Sequence, residues 1–182
     1  MQYNRISLLL VCFMLGLQFS IGQTENNPQE LQGEVGDMVV SISPSFTWVP
    51  EGAGLDNLDE KGHFTPGMGI DFFYRFHPRW EIGAMADIEF DHYLIPRKDD
   101  LERERAFVFT GMVAYTLGKR WNLFAGGGVE MEKHEWLPVG RFGIEYVVPM
   151  QNGWFLPIGG FVDFKPGYQA YSTMIGIGKS FK

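Results

Sequence analysis

From residue 38 onward, apolar and polar or small residues alternate with a period of two, segment after segment. Met38, Val40, Ile42, Phe46 and Trp48 fall on one face, and Val39, Ser41, Ser43, Ser45 and Thr47 on the other. Met68, Ile70, Phe72, Tyr74 and Phe76 oppose Gly67, Gly69, Asp71, Phe73 and Arg75 in the next segment. Trp80, Ile82, Ala84, Ala86, Ile88 and Phe90 then oppose Glu81, Gly83, Met85, Asp87, Glu89 and Asp91. A helix would repeat every 3.6 residues, so these are strands. The same reading covers 107–117, 121–131, 139–150, 154–164 and 171–181, and each segment has about the 9–11 residues that a tilted strand needs to cross a bilayer. The expected fold is all-β, an eight-stranded antiparallel up-and-down transmembrane β-barrel.

The aromatics sharpen that expectation. Tyr74, Trp80, Tyr115, Trp121, Tyr146, Trp154 and Phe181 each lie on an apolar face beside a short turn, where a transmembrane barrel keeps an interfacial girdle. Short connections at 77–79, 118–120 and 151–153 alternate with longer ones at 50–64 and 95–104. Those at 133–138 and 165–169 are shorter but fall in the same phase. This asymmetry is the orientation rule of outer-membrane barrels, with both termini in the periplasm. A soluble, periplasmic lipocalin-like barrel would show the same alternation with its apolar face turned inward. Against it, the opposite face is crowded with Gly67, Gly69, Gly83, Gly126, Gly128, Gly143 and Gly159, which suit a cramped lumen.

The amino terminus reads as an export signal. Residues 1–22 carry one cation at Arg5, an apolar run from Ile6 to Phe19, and small residues at Ser20 and Gly22, with cleavage expected before Gln23. The run is too short for a membrane anchor. The only cysteine, Cys12, lies inside it and follows Val11, where a lipoprotein signal wants a small residue, so the mature chain draws no stability from disulfides. Residues 23–37, rich in Gln, Asn, Glu and Gly, read as a flexible periplasmic leader, and 38–182 as one barrel domain. The 22 acidic against 15 basic residues exclude nucleic acid as a partner, since phosphate binding needs a basic face.

The chain resembles the small outer-membrane barrels of the OmpA, OmpX and OmpW type, most of all the compact versions found in Bacteroidota. The resemblance rests on the signal ending Ser20-Ile21-Gly22-Gln23, the strand Phe124-Ala125-Gly126-Gly127-Gly128-Val129-Glu130, and the ending Ile175-Gly176-Ile177-Gly178-Lys179-Ser180-Phe181. It implies residence in the bacterial outer membrane, contact with its lipid and lipopolysaccharide, and recognition of Phe181 by the insertion machinery, although Lys182 follows that residue. It specifies an architecture more than a function.

Any chemistry would have to reside in the lumen or the loops. Inward positions carry Asp71, Glu81, Asp87, Glu89, Asp91, Glu130, Glu132, Glu145 and Asp163, opposed mainly by Arg75 and Arg141. Pairing Phe76 with Trp80 would set Arg75 against Glu81, and pairing Met150 with Trp154 would set Arg141 against Asp163, with Glu130 or Glu132 also within reach of Arg141. Such ion pairs would fill a narrow barrel. Asp87, Glu89 and Asp91 climb one strand without an obvious cation, and Glu130, Glu132 and His134 approach the same level, but no loop shows a calcium motif. No cofactor, metal or catalytic group is expected. The expected role is that of a non-enzymatic, monomeric envelope protein, structural or interacting through its extracellular loops. A narrow pore for small solutes or cations is the first alternative. A lipid-modifying enzyme is another, with His92 beside Asp91 as the best-placed histidine and His134 next, although no serine is placed as an obvious nucleophile, Ser41, Ser43 and Ser45 being inward on the first strand and Ser172 inward near the top of the last. The soluble ligand-binding barrel is the last.

Overall fold

Alternation of this kind makes a sheet with one apolar and one polar face, and here the sheet closes on itself. The computed structural model describes residues 34–55, 62–96, 100–133 and 135–182. The expected signal peptide, its cleavage site and most of the leader lie outside the described residues, as does His134. The strands are β1 (Met38–Val49), β2 (Ala53–Gly54), β3 (His63–His77), β4 (Trp80–Glu89), β5 (His92–Ile95), β6 (Leu101–Glu104), β7 (Phe107–Leu117), β8 (Trp121–Met131), β9 (Trp136–Pro149), β10 (Trp154–Lys165), β11 (Tyr168–Ile175) and β12 (Ile177–Phe181).

Strands β11 and β12 are one spanning strand, nicked at Gly176. Both parts keep a single register against β1 and against β10. A Cβ at Gly176 would lie 2.0 Å from Ser43 Oγ, so only glycine lets the backbone approach β1 here. Counted this way, the barrel has eight antiparallel strands, and β1 closes the ring by pairing with β3 on one side and β11–β12 on the other.

The faces fall as the alternation requires. Ile70, Ile82, Phe109, Phe142, Ile144 and Ile175 are exposed on the outside, a belt that only lipid would cover without penalty. The soluble lipocalin-like arrangement, with these side chains inside, does not hold. Trp80 meets Tyr115 at a tilt and Trp121 meets Tyr146 edge to face, at ring separations of 4.8 and 4.9 Å, building the girdle beside the short turns. A second girdle occupies the other rim, where Trp48 lies 6.3 Å from Phe64 and 5.8 Å from Tyr171.

Several segments differ from expectation, among them the 133–138 loop, into which β9 extends back to Trp136. The loop expected over 165–169 shrinks to the two-residue turn Pro166-Gly167, with Gly167 at φ +89°, so Lys165 and Tyr168 belong to the wall. The loop expected over 95–104 belongs instead to the hairpin β5–β6, which begins before it at His92 and joins β2 in a separate three-stranded sheet. It continues the β4–β7 hairpin across a bulge, where Glu89, Phe90 and Asp91 face only Arg105 and Ala106, and Arg105 takes φ +49°. Glu34 to Asp37, the end of the expected leader, form a turn bonded to the Arg75 backbone through Gly36 and Asp37. At the first short turn Arg75 does oppose Glu81, but a register shift sets His77, not Phe76, against Trp80.

Candidate functional site

The inward face carries three tiers of charge, and alternation on neighbouring strands decides which groups meet. Nearest the short turns, Arg75 pairs with Glu81 across the β3–β4 hairpin, and the Asn122 amide donates to Glu145 at 3.2 Å. Phe155 is buried close by, its ring against Gly178.

In the middle, Arg141 on β9 holds Asp163, its register partner on β10, through two parallel bonds: Nε to Oδ1 at 2.7 Å and Nη2 to Oδ2 at 2.8 Å. Its remaining arm crosses the lumen to Asp87 on β4. The guanidinium lies 3.9 Å above the Phe161 ring. Phe161 in turn packs among Met85, Met112, Ala114, Phe124 and Met174, so the strut stands on an apolar plug. Asp71 accepts from Ser41 Oγ at 2.9 Å on the neighbouring strand. The fork of a guanidinium suits this geometry, because one cation satisfies two carboxylates that could not be buried alone.

At the mouth, Glu130 on β8 is fully buried and receives three partners. Lys165 Nζ lies 2.5 Å away, Arg103 Nε 2.7 Å away, and Tyr168 Oη donates at 2.6 Å. Lys165 also approaches Glu89 at 3.8 Å, and Arg103 approaches Glu132 at 3.9 Å. Glu89 accepts from Tyr93 Oη at 2.7 Å. Arg103 and Tyr93 come from the hairpin β5–β6, whose inner face also buries Ile95 and Leu101 against Val49, Leu137, Tyr168 and Ala170. The hairpin is thus a lid: its residues meet side chains from β1, β8, β9 and β11, on several sides of the mouth. Burial, reinforced by the nearby Glu89 charge, holds the Tyr93 phenol well above the usual tyrosine range.

Of the acids without an obvious cation, Asp87 is held by Arg141 and Glu89 faces Lys165. Asp91 stands outside the lumen, its side chain 44 % exposed and 2.9 Å from His63 Nε2 at the bulge. Glu130 and Glu132 engage Arg103 and Lys165 rather than Arg141, because the lid and the tight Pro166-Gly167 turn bring nearer cations. Arg103, Lys165, Tyr93 and Tyr168 were not among the expected site residues. Continuing the inward parity of β10 past Asp163 does find Lys165. The Ser, His and acid arrangement is not assembled among the described residues: Ser172 bonds Thr47 at 2.8 Å, while His92 bonds Glu102 at 2.5 Å.

No protein-family model matches the sequence, and no curated protein resembles it. Solved structures do match in shape. Ail, the attachment invasion locus protein of Yersinia pestis, is 12% identical, with 81% of this chain and 100% of that chain covered at a TM-score of 0.53. Neisserial surface protein A is 9% identical over 80% of this chain and 99% of that one, with a TM-score of 0.49. The outer membrane protein OprG of Pseudomonas aeruginosa is 16% identical over 82% and 98%, with a TM-score of 0.46. The likeness to Ail is one of fold, and the chain has the architecture of a small outer-membrane β-barrel.

Proposed function

We propose that the chain is a non-enzymatic protein of the bacterial outer membrane, delivered by the 1–22 signal and inserted through its Phe181 ending, that acts as a monomer through its extracellular surface. The Gly-rich strands and the C-terminal pattern support assigning it to the compact Bacteroidota type of such barrels. One observation carries the functional reading: the lumen is filled by side chains and the lid seals the mouth, which leaves the outer face of β5–β6 and the first loop as the surface available to partners. Lipopolysaccharide is the partner we assign to that surface.

The test has two stages. Boiling isolated outer membranes in detergent should shift the gel mobility of the protein, because a closed barrel resists detergent until heated. Replacing residues 92–104 by a two-residue turn should then keep the shift while abolishing retention on immobilised lipopolysaccharide. Recovery of the wild-type protein in the soluble periplasm would sink the reading.

A narrow cation pore is the second reading, favoured by the inward carboxylates of Asp71 and Asp87, which are buried, and of Glu145, which is half-buried; together they outnumber the nearby cations. It gains if the wild-type protein conducts in planar bilayers, and fails if conductance is absent both there and in Arg103→Ala.

A further inference from the structure

The rim beside the short turns repeats one arrangement. Arg79 ends the turn before β4, whose first residue, Trp80, faces Tyr115 on the next strand. Arg79 Nη1 donates to Tyr115 Oη at 3.3 Å, and the Arg79 carbonyl accepts from the backbone of Thr116, the residue after that tyrosine, at 2.9 Å. Two strands further round, Arg120 ends the turn before β8, whose first residue, Trp121, faces Tyr146. Arg120 Nη1 donates to Tyr146 Oη at 2.9 Å, and the Arg120 carbonyl accepts from Val147, again the residue after the tyrosine, at 2.8 Å. The third hairpin carries a related scheme: Trp154 opens β10 and faces Lys179, whose ammonium lies 5.2 Å from the indole and 5.4 Å from the Phe181 ring.

Two features give this repeat a chemistry. A guanidinium has five N–H donors, and the tyrosine hydroxyl takes one, so most of each fork is left for an acceptor. Both arginines are exposed, and among the described residues no carboxylate pairs with either. The tyrosine that each fork bonds packs against an indole that marks the edge of the apolar belt, where an acceptor that also carries hydrocarbon would sit.

We propose that the Arg79/Trp80/Tyr115 and Arg120/Trp121/Tyr146 triads are binding sites for the phosphodiester of a glycerophospholipid in the leaflet facing the short turns, with Lys179 serving as a third, monodentate position. The inference rests on the membrane reading above and adds the partner and the residues that hold it. The guanidinium takes two phosphate oxygens, the tyrosine fixes the fork, and the indole lies against the first carbons of the acyl chains. Charge complementarity selects the lipid, because an anionic headgroup meets two guanidinium groups, of Arg79 and Arg120, that no carboxylate of the described residues neutralises.

The test uses the full mature protein, first shown to shift on heating in isolated membranes, then purified, delipidated in detergent and followed by native mass spectrometry. Absence of that shift would remove the membrane reading before any lipid is added, so the two failures are separable. With dioleoyl phosphatidylglycerol as probe, the wild-type barrel should retain lipid, while dioleoylglycerol, which has the same chains and no phosphate, should not be retained. The Arg79→Gln and Arg120→Gln double variant, still heat-modifiable, should bind phosphatidylglycerol about fivefold more weakly per arginine removed. The corresponding Lys variants should recover part of the loss. Equal retention by wild type and the Gln variant, or retention of dioleoylglycerol to the same degree, overturns the proposal. Displacement of the lipid by millimolar inorganic phosphate also overturns it, by showing a site for free anion.

Discussion

The middle of the lumen and its mouth solve one problem in two ways. Both bury carboxylates inside a narrow barrel, and both neutralise them with a cation that reaches more than one acid. In the middle, Arg141 and Asp163 are register neighbours on β9 and β10, so the pair exists as soon as that hairpin forms. At the mouth, Arg103 belongs to a hairpin outside the barrel sheet and meets Glu130 only after the lid has folded over. The first arrangement is a property of the wall. The second joins two separately hydrogen-bonded sheets, so it can fail while the wall survives.

Four changes press on that contrast. The largest effect is expected from Arg141→Ala, which orphans Asp87 and Asp163 together and should cost about 3–5 kcal/mol, read as a lowered urea midpoint for the heat-shifting form. Arg103→Ala should cost less, about 1.5–3 kcal/mol, because Lys165 still faces Glu130. It should leave the heat shift intact while amide exchange accelerates in β5 and β6 alone. A global loss of protection in that variant would erase the distinction between wall and lid. Arg105→Gly should stabilise the lid by about 0.5–1 kcal/mol, since the left-handed backbone there strains any residue with a Cβ. The smallest effect concerns pH. The unfolded Tyr93 phenol ionises near its ordinary value of 10.0, whereas in the lid it is held protonated to higher pH. Lid stability is therefore full below that pH and lost as the pH rises above it. Amide exchange in β5 should show the loss in wild type and not in Tyr93→Phe.

The same contrast explains what could be read in advance. Eight strands, their faces, and the Arg75–Glu81 and Arg141–Asp163 pairs follow from alternation and short turns, which are local properties. Lys165 was hidden only by a loop drawn too long, since Pro166-Gly167 is by itself a sufficient turn. Arg103 is a different case. Counting back from the inward Ala106 by twos places Glu104 and Glu102 inside and Arg103 outside, and the left-handed step at Arg105 reverses that parity. A bulge leaves no trace in periodicity when its left-handed position is held by arginine instead of glycine. The partners that bury Arg103 lie on strands formed later in the chain, beyond the reach of any pattern in β6 itself.

The pairing of Met38 with Phe181 fixes the order in which this molecule can be built. Every other pairing in the wall joins successive spanning strands, but one edge of β1 stays open until β11 and β12 arrive. Closing that seam spans nearly the whole domain and carries the largest loop-closure entropy in the fold. Until it closes, the sheet has two hydrogen-bonding edges able to recruit foreign strands. A chain lacking β12 would keep most of its contacts and still present that hazard, so the final five-residue strand governs whether the product is a barrel or an aggregate.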